Sequence, residues 1–599
     1  MIEARFDDLG PTPRSFRLEE PVGVIEAHRP DEVRDALAAV EAATARGLWA
    51  GGFVSYEAAP GFDRALVVAS RPPGDPFTEL PLLWFALFDR VEPTELPEGP
   101  DVDEPDGSAD ALGQTWVPSI DRARFDASVG SIQERIEAGD TYQVNYTLRL
   151  RAGLAGDERG LYRDLCLAQR GAYGAYLNLG RYRIVSASPE LFFRIEDGPE
   201  GERIVTRPMK GTAARGRWAE EDLEAASRLG ASAKDRAENA MIVDLVRNDL
   251  GRIARPGSVT VPDLFTTERY ETVWQMTSRI EADLEPGTSV TDVFGALFPS
   301  GSVTGAPKIA TMELIATLED SPRGVYCGAV GLLAPPGSRE PRAVFNVAIR
   351  TVMLDTRTGT AEYGVGGGIT HDSRAAAEYD EVLAKARVLA VRRPPFDLIE
   401  TMRRHPGGGV HGFERHLRRL SSSAAYFGFA FDESRVREAI EAATVGVDEA
   451  VRVRLLLARD GTVTTESMPM VPPRTEPVRI AIDDVAVPVD DALLFHKTTR
   501  RSRFEEARAR HPEAEDVLLV NGRGQITEST IANVAVRIDG IWYTPPLGAG
   551  CLPGTRRSEL LEDGTLHERA IMVDEARGAQ EIALINATRG WRPAVLIDA

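Results

Sequence analysis

The apolar residues of this 599-residue chain switch between two periods, and the switches outline its elements. In DEVRDALAAVEAATARG (31–47) they recur every three or four positions and predict a helix. LWAGGFVSYEA and LPLLWFALF are short, nearly continuous apolar runs and predict strands. Helical spacing returns in SAKDRAENAMIVDLVRND and SRAAAEYDEVLAKARVLAV, while VLLVNGRGQITESTIANVAV reads as strand, turn and strand. Two stretches break the pattern. Residues 91–118, rich in Pro, Asp, Glu and Gly, predict an exposed connection, and VRRPPFD (391–397) puts two prolines after a helix. No short repeat is present, which excludes solenoids and propellers. The reading is an α+β fold in two units: an N-terminal half with its acidic connection (1–118), a region 119–390, a linker 391–396, and a second unit 397–599.

Charge narrows the classes of partner. Lys and Arg number 70 against 92 Asp and Glu, and the net charge of -22 repels phosphate backbones and anionic lipid, so neither nucleic acid nor a membrane surface is the expected partner. No run reaches ~18 apolar residues, and the start, MIEARFDDLGP, has neither basic flank nor apolar stretch. The expected location is the cytoplasm. Three scattered cysteines, Cys166, Cys327 and Cys551, make no disulfide framework.

Lysine usage is more telling. Of the 70 basic residues only five are lysine: Lys210, Lys234, Lys308, Lys385 and Lys497. In a chain that otherwise writes its cations as arginine, each surviving lysine is either accidental or a candidate for work that needs an amine able to lose its proton, as nucleophile, base or Schiff-base partner. Histidine is scarce before residue 400, where only His28 and His371 occur, so acid-base work there falls to carboxylates or lysine.

Two helical segments carry carboxylates three residues apart, Asp235 with Glu238 and Glu378 with Glu381. Each pair shares a helix face. Either alone also suits a solvated surface, but two pairs converging would suit a hard cation such as Mg²⁺. Between them, FPSGSVTGAPK and YGVGGGITHD offer backbone N–H groups from Gly301, Gly305, Gly366, Gly367 and Gly368. Neither is a Walker or dinucleotide motif.

Together with AGDTYQVNYTLR (138–149), SASPELFF (186–193), TRPMKGTAARG (206–216), RGVYCGAVG (323–331) and NVAIRT (346–351), these segments resemble the chorismate-utilising enzymes, the family of anthranilate, isochorismate and aminodeoxychorismate synthases. The resemblance implies an antiparallel two-sheet fold. PMKGT matches the aminodeoxychorismate branch, in which lysine stands where anthranilate synthases have alanine. By the resemblance, the uncharged Lys210 amine adds to the chorismate ring and displaces the C4 hydroxyl, Glu190 is the general acid, and ammonia then displaces the lysine. Glu238 and Glu381 would bind Mg²⁺ with Asp235 and Glu378 behind them. Arg350, Tyr326, Ser302, Lys385 and Gly366–Gly368 would hold substrate. Gln275 stands where many members have histidine, RLEEP (17–21) does not reproduce the usual tryptophan pocket, and no cysteine sits in a glutaminase nucleophile turn. Ammonia is therefore expected from a separate glutamine amidotransferase subunit, or from solution.

In the second unit Lys497 is the only lysine, which points to an aldehyde cofactor bound as a Schiff base. Glu528 follows on a strand, Gly554 and Thr555 open a helix suited to phosphate, and FERHLRRL supplies Arg419. Their order resembles the class IV, fold-type IV pyridoxal 5'-phosphate enzymes, which include aminotransferases and 4-amino-4-deoxychorismate lyase. The resemblance implies that Lys497 holds the cofactor and shuttles protons, Glu528 faces the ring nitrogen, and Arg419, Gly554 and Thr555 take the phosphate. These motifs alone leave lyase and transaminase open. Linkage to the first unit favours the lyase, so that aminodeoxychorismate made from chorismate would lose pyruvate to give 4-aminobenzoate for folate. The alternatives are an anthranilate or isochorismate synthase joined to an amino acid aminotransferase, and a non-catalytic interaction subunit. A homodimer through the second unit stays open at this point.

Overall fold

The computed structural model describes residues 2–10, 13–97, 116–153, 156–199, 201–389, 395–406, 409–446, 449–470 and 476–597. Most of the connection anticipated at 91–118, and 391–394 of the linker, lie outside the described residues. The chain divides into two compact units, one of residues 1–214 and 226–395, the other of 215–225 and 396–599.

In the first unit the described strands form two ten-stranded sheets, with antiparallel pairing throughout. One is centred on Gln143–Gly153, Thr360–Ile369 and Tyr182–Ser188, the other on Leu191–Gly198, Ala329–Leu333 and Trp49–Val54. The strands are rich in apolar residues on both faces because both faces are covered. Ala4, Leu177 and Ile184 of one sheet meet Phe53, Trp84 and Val330 of the other. The first sheet's outer face takes helices Arg122–Glu137, Glu158–Gln169 and Ala375–Ala386. The second's takes Val33–Ala45, Ala233–Leu250 and Val290–Leu297. The helix expected at 31–47 and the strands expected around 49 and 83 are thus present.

A charged group is buried within this apolar packing. Glu319, fully enclosed, accepts hydrogen bonds from Arg149 (3.1 Å), Arg323 (2.6 and 3.1 Å) and the Thr147 hydroxyl (2.8 Å). The two guanidiniums hold its pKa below the ordinary value although burial alone would raise it. Such a group is stable only while complete; stranding one partner costs about 3–5 kcal/mol.

The second unit has a three-stranded antiparallel sheet, Leu398–Arg404, Val451–Leu457 and Val463–Pro469, backed by helices Phe413–Phe427 and Glu433–Thr444. An eight-stranded mixed sheet follows. Residues 215–225 pack here: Arg215 donates to the Tyr426 carbonyl (2.9 Å), the Tyr426 hydroxyl donates to the Gly216 carbonyl (2.6 Å), and the Trp218 ring lies 5.2 Å from that of Phe495.

Candidate active sites

In the first unit the strand Met209–Ala214 pairs with Val273–Asp283, but the register shifts between Met209 and Thr212. This irregularity takes up Lys210 and Gly211, the latter at φ +99°; bulges of this kind re-aim a side chain. Asn239 of the neighbouring helix fixes the spot, donating to the Lys210 carbonyl (3.2 Å) and accepting from the Ser278 hydroxyl (2.6 Å). The Lys210 side chain is 15% exposed, its Nζ 3.8 Å from Glu238 Oε2. A Cβ at Gly368 would stand 2.2 Å from this Nζ and 2.5 Å from Gln143 Nε2, so only glycine leaves room for the amine. Burial lowers the Lys210 pKa; Glu238 opposes the shift and Lys385 adds to it.

Glu190 lies between strands Tyr182–Ser188 and Leu191–Gly198 and is 3% exposed. Burial raises its pKa to about 7, against the hydrogen bond it accepts from Ser302 Oγ (2.6 Å). Lys385 donates to the Gly366 carbonyl (2.8 Å) and pairs with Glu381 (2.8 Å). A Cβ at Gly367 would approach Glu378 Oε2 and Lys385 Nζ at 3.5 and 3.6 Å.

The structure therefore brings Lys210, Lys385, Glu238, Glu378, Glu381 and the Gly366–Gly368 strand into one neighbourhood, and Ser302 onto Glu190. It does not preassemble the carboxylates as a cluster: among the described residues, no three of Asp235, Glu238, Glu378 and Glu381 bring ligand oxygens within 4.8 Å of one another. Glu238 faces Lys210 and Lys234, and Glu378 accepts from Ser373 Oγ (2.7 Å). Burial and the nearby Glu381 push the Glu378 carboxyl upward. Negative oxygen ligands under that repulsion suit Mg²⁺ by charge and donor type. Arg350, held at φ +53°, donates to the Lys385 carbonyl. Tyr326 is 5% exposed and belongs to the hydrophobic core, its ring against Gly364.

In the second unit a cavity of about 330 Å³ is lined by Lys497, Glu528, Arg419, Gly554 and Thr555, with Arg452, Arg454 and Arg501 also on its wall. Lys497 follows a single helical turn, Ala492–Leu494, and its carbonyl accepts from the Ile399 N–H (3.0 Å). Burial, with Arg419 adding, brings its pKa down to about 8. Glu528 is 4% exposed and accepts from the Leu552 N–H (3.2 Å); burial raises it to about 8. Arg419 is anchored by Glu400 (2.6 and 2.9 Å) and the Pro553 carbonyl (3.2 Å). Burial would raise Glu400, but Arg419 and His416 hold it at about 2. His416 passes the chain of bonds on to the Thr555 hydroxyl (3.2 Å), at the first turn of helix Thr555–Glu562. A guanidinium and free helix N–H groups at one end, with a lysine and a buried carboxyl on the wall, fit an anionic aldehyde-bearing ring cofactor.

The sequence model of the family described as chorismate binding enzyme matches residues 12–391. The chain belongs to the chorismate-binding enzymes. Residues 397–597 match the class IV amino-transferases, so this chorismate-binding enzyme carries a second family's domain. Over 274 residues it is 40% identical to aminodeoxychorismate synthase component 1 of Escherichia coli (strain K12), a match covering 46% of this chain and 58% of that protein. Over 288 residues it is 39% identical to anthranilate synthase component 1 of Streptomyces coelicolor, covering 48% and 54%. The chain thus spans little more than half the length of the curated relatives it matches. The solved anthranilate synthase component I from Streptococcus pneumoniae aligns at 25% identity and TM-score 0.52, covering 64% of this chain and 93% of that one. The first unit of this chorismate-binding enzyme accordingly has the anthranilate synthase fold. Among the described residues no helix is long and apolar enough to cross a membrane.

Sequence reasoning missed several groups that the fold of this chorismate-binding enzyme brings to its sites. Gln143 is 2% exposed with its Nε2 unpaired and close to the Lys210 amine. Asn145 stands beside it. Both lie inside a quoted motif, and their spacing of two on a strand puts them on one face. Glu400 and His416 act through Arg419 and Thr555; His416 stands three residues before Arg419 within FERHLRRL, whereas no local signal marks Glu400.

Proposed function

We propose that the chain makes 4-aminobenzoate for folate in two steps, aminating chorismate at C4 in the first unit and releasing pyruvate from aminodeoxychorismate in the second. The observation that carries this reading is the Lys210 amine, largely buried, kept from easy protonation, and set against Gly368 beside carboxylates that a cation would balance. The likeness to aminodeoxychorismate synthase component 1 supports it. Neutral Lys210 attacks the ring; Glu190, protonated, gives its proton to the departing C4 hydroxyl, which leaves as water; ammonia then takes the lysine's place. Glu238 and Glu381, with Asp235 and Glu378 behind them, would hold Mg²⁺, which supplies charge to balance the ring carboxylate. Ser302, Lys385, Arg350 and the N–H groups of Gly366–Gly368 complete the substrate site; Tyr326, packed in the core, is not part of it. Ammonia comes from a separate glutamine amidotransferase subunit, and the protein works in the cytoplasm.

In the second unit Arg419, Gly554 and Thr555 would hold the phosphate of pyridoxal 5'-phosphate, and Glu528 would face its ring nitrogen. The cofactor, once bound, supplies an aldehyde to carry the substrate amine and a ring to take up electrons. Lys497, with its lowered pKa, removes the ring proton at the amine-bearing carbon, and pyruvate leaves as the ring becomes aromatic. A pairing of two copies through this unit is part of the proposal.

The test is product identification with the full chain, chorismate, Mg²⁺ and ammonia. 4-Aminobenzoate with pyruvate is expected; anthranilate, or no turnover, overturns the reading. The amination step should also show a bell-shaped pH dependence. Glu190, its pKa raised to about 7 by burial, must be protonated, and Lys210, its pKa lowered by burial, must be neutral, so kcat/KM falls at alkaline pH where the acid is lost and at acid pH where the amine is protonated. In Glu190→Gln the alkaline limb should vanish along with about 10²–10⁴-fold of rate. A wild-type profile that lacks either limb contradicts the assignment.

A further inference from the structure

We infer that Glu57, in the N-terminal half and outside every motif that names the site, is a positioning residue for the amination step. The inference rests on the functional reading above. The Glu57 carboxylate accepts two hydrogen bonds from consecutive backbone N–H groups, those of Arg323 (Oε1, 2.7 Å) and Gly324 (Oε2, 2.8 Å). The neighbouring Tyr56 N–H donates to the Gly324 carbonyl (2.8 Å), and its ring lies 4.6 Å from the Arg323 guanidinium. The segment 55–58 thus clamps the turn at Gly324, which sits at φ +65°. Charge-assisted bonds of this kind are short and directional.

What the clamp sets is the direction of the Arg323 side chain. Its guanidinium, 1% exposed, donates to the Val303 carbonyl (2.7 Å) and the Asn145 carbonyl (2.7 Å), with Glu319 neutralising it. Val303 directly follows Ser302, whose hydroxyl holds Glu190. Asn145 belongs to the strand facing Gly368, where Lys210 ends, and its N–H donates to the Thr304 carbonyl (2.7 Å). One arginine therefore ties together the backbones beside the acid and beside the amine, and Glu57 fixes that arginine from below. Glutamine at 57 keeps one acceptor and turns an N–H toward a backbone N–H, so the turn must shift. A displacement of about 1 Å between reacting groups costs on the order of 10²-fold in rate.

The experiment uses the full chain with chorismate, Mg²⁺ and ammonia, comparing wild type, Glu57→Gln and Glu57→Asp. For each, kcat and KM of amination are measured beside the release of 4-aminobenzoate from supplied aminodeoxychorismate and the thermal midpoint. Glu57→Gln is expected to lose about 10–100-fold in kcat, with KM for chorismate changing less than about threefold and the second activity unaltered. Glu57→Asp, which keeps both acceptors, should recover part of the loss. If Glu57→Gln does not fold, the kcat and KM of Glu57→Asp decide in its place. A folded variant with wild-type kcat, or a loss explained wholly by the unfolded fraction, overturns the inference alone. A wild type that never aminates chorismate overturns the functional reading and this inference with it.

Discussion

Lys210→Ala is expected to abolish 4-aminobenzoate formation from chorismate while leaving conversion of supplied aminodeoxychorismate at the wild-type rate. The loss should reach at least ~10³-fold, the scale on which removing a nucleophile disables a site whose general acid then has nothing to assist. The physical argument lies in the amine itself. Burial makes the ammonium form costly, and Glu238, at 3.8 Å, only partly restores it. Lys210→Arg should be as inactive, because a guanidinium keeps its charge at any working pH. Alanine beside Gly368 opens space without a clash, so the fold should persist and thermal unfolding should confirm it. Loss of both activities in a folded variant would contradict the division of labour between the units.

Lys497→Ala should do the reverse, with chorismate consumed, aminodeoxychorismate accumulating, and 4-aminobenzoate falling by at least ~10³-fold. Two readouts are independent of turnover. Borohydride reduction of the wild-type chain with its cofactor should add the cofactor's mass to the peptide containing Lys497, and the variant should gain none. The yellow absorbance of the lysine-linked cofactor should also be missing. The Lys497 pKa, brought to about 8 by burial and Arg419, makes the amine available near neutrality. A variant that still releases pyruvate at the wild-type rate would remove Lys497 from the chemistry.

The two lysines were legible before any coordinates because arginine had displaced lysine almost everywhere else, so each survivor stood out. Glu190 and Glu528 were legible through motifs, and the structure adds the burial that raises both carboxyls. The carboxylate pairs were legible as pairs, and Lys385 follows Glu381 by one turn of the same helix, but spacing along a helix cannot show that Lys210 reaches Glu238 from a strand. Glu57 meets Arg323 across 266 positions of sequence, and Glu400 meets Arg419 across 19 from a different element. Such partners carry no periodic or local signal, because the backbone's path through two sheets brings them together. Tyr326 shows the opposite case: a residue in a telling motif whose ring packs into the core.

The membership of residues 215–225 bears on how the protein can be dissected. A fragment starting at Phe396 would look complete by sequence yet lack the peptide that receives the Tyr426 hydroxyl and covers Phe495 with Trp218. Truncation at the obvious proline-rich junction would leave an apolar and hydrogen-bonding scar on the C-terminal half, and the matching N-terminal piece would carry residues 215–225, including the first turns of helix Ala219–Ala231, stripped of their partners soon after Lys210. The two halves can be separated on paper at residue 395, but in expression vectors they should be kept as one polypeptide.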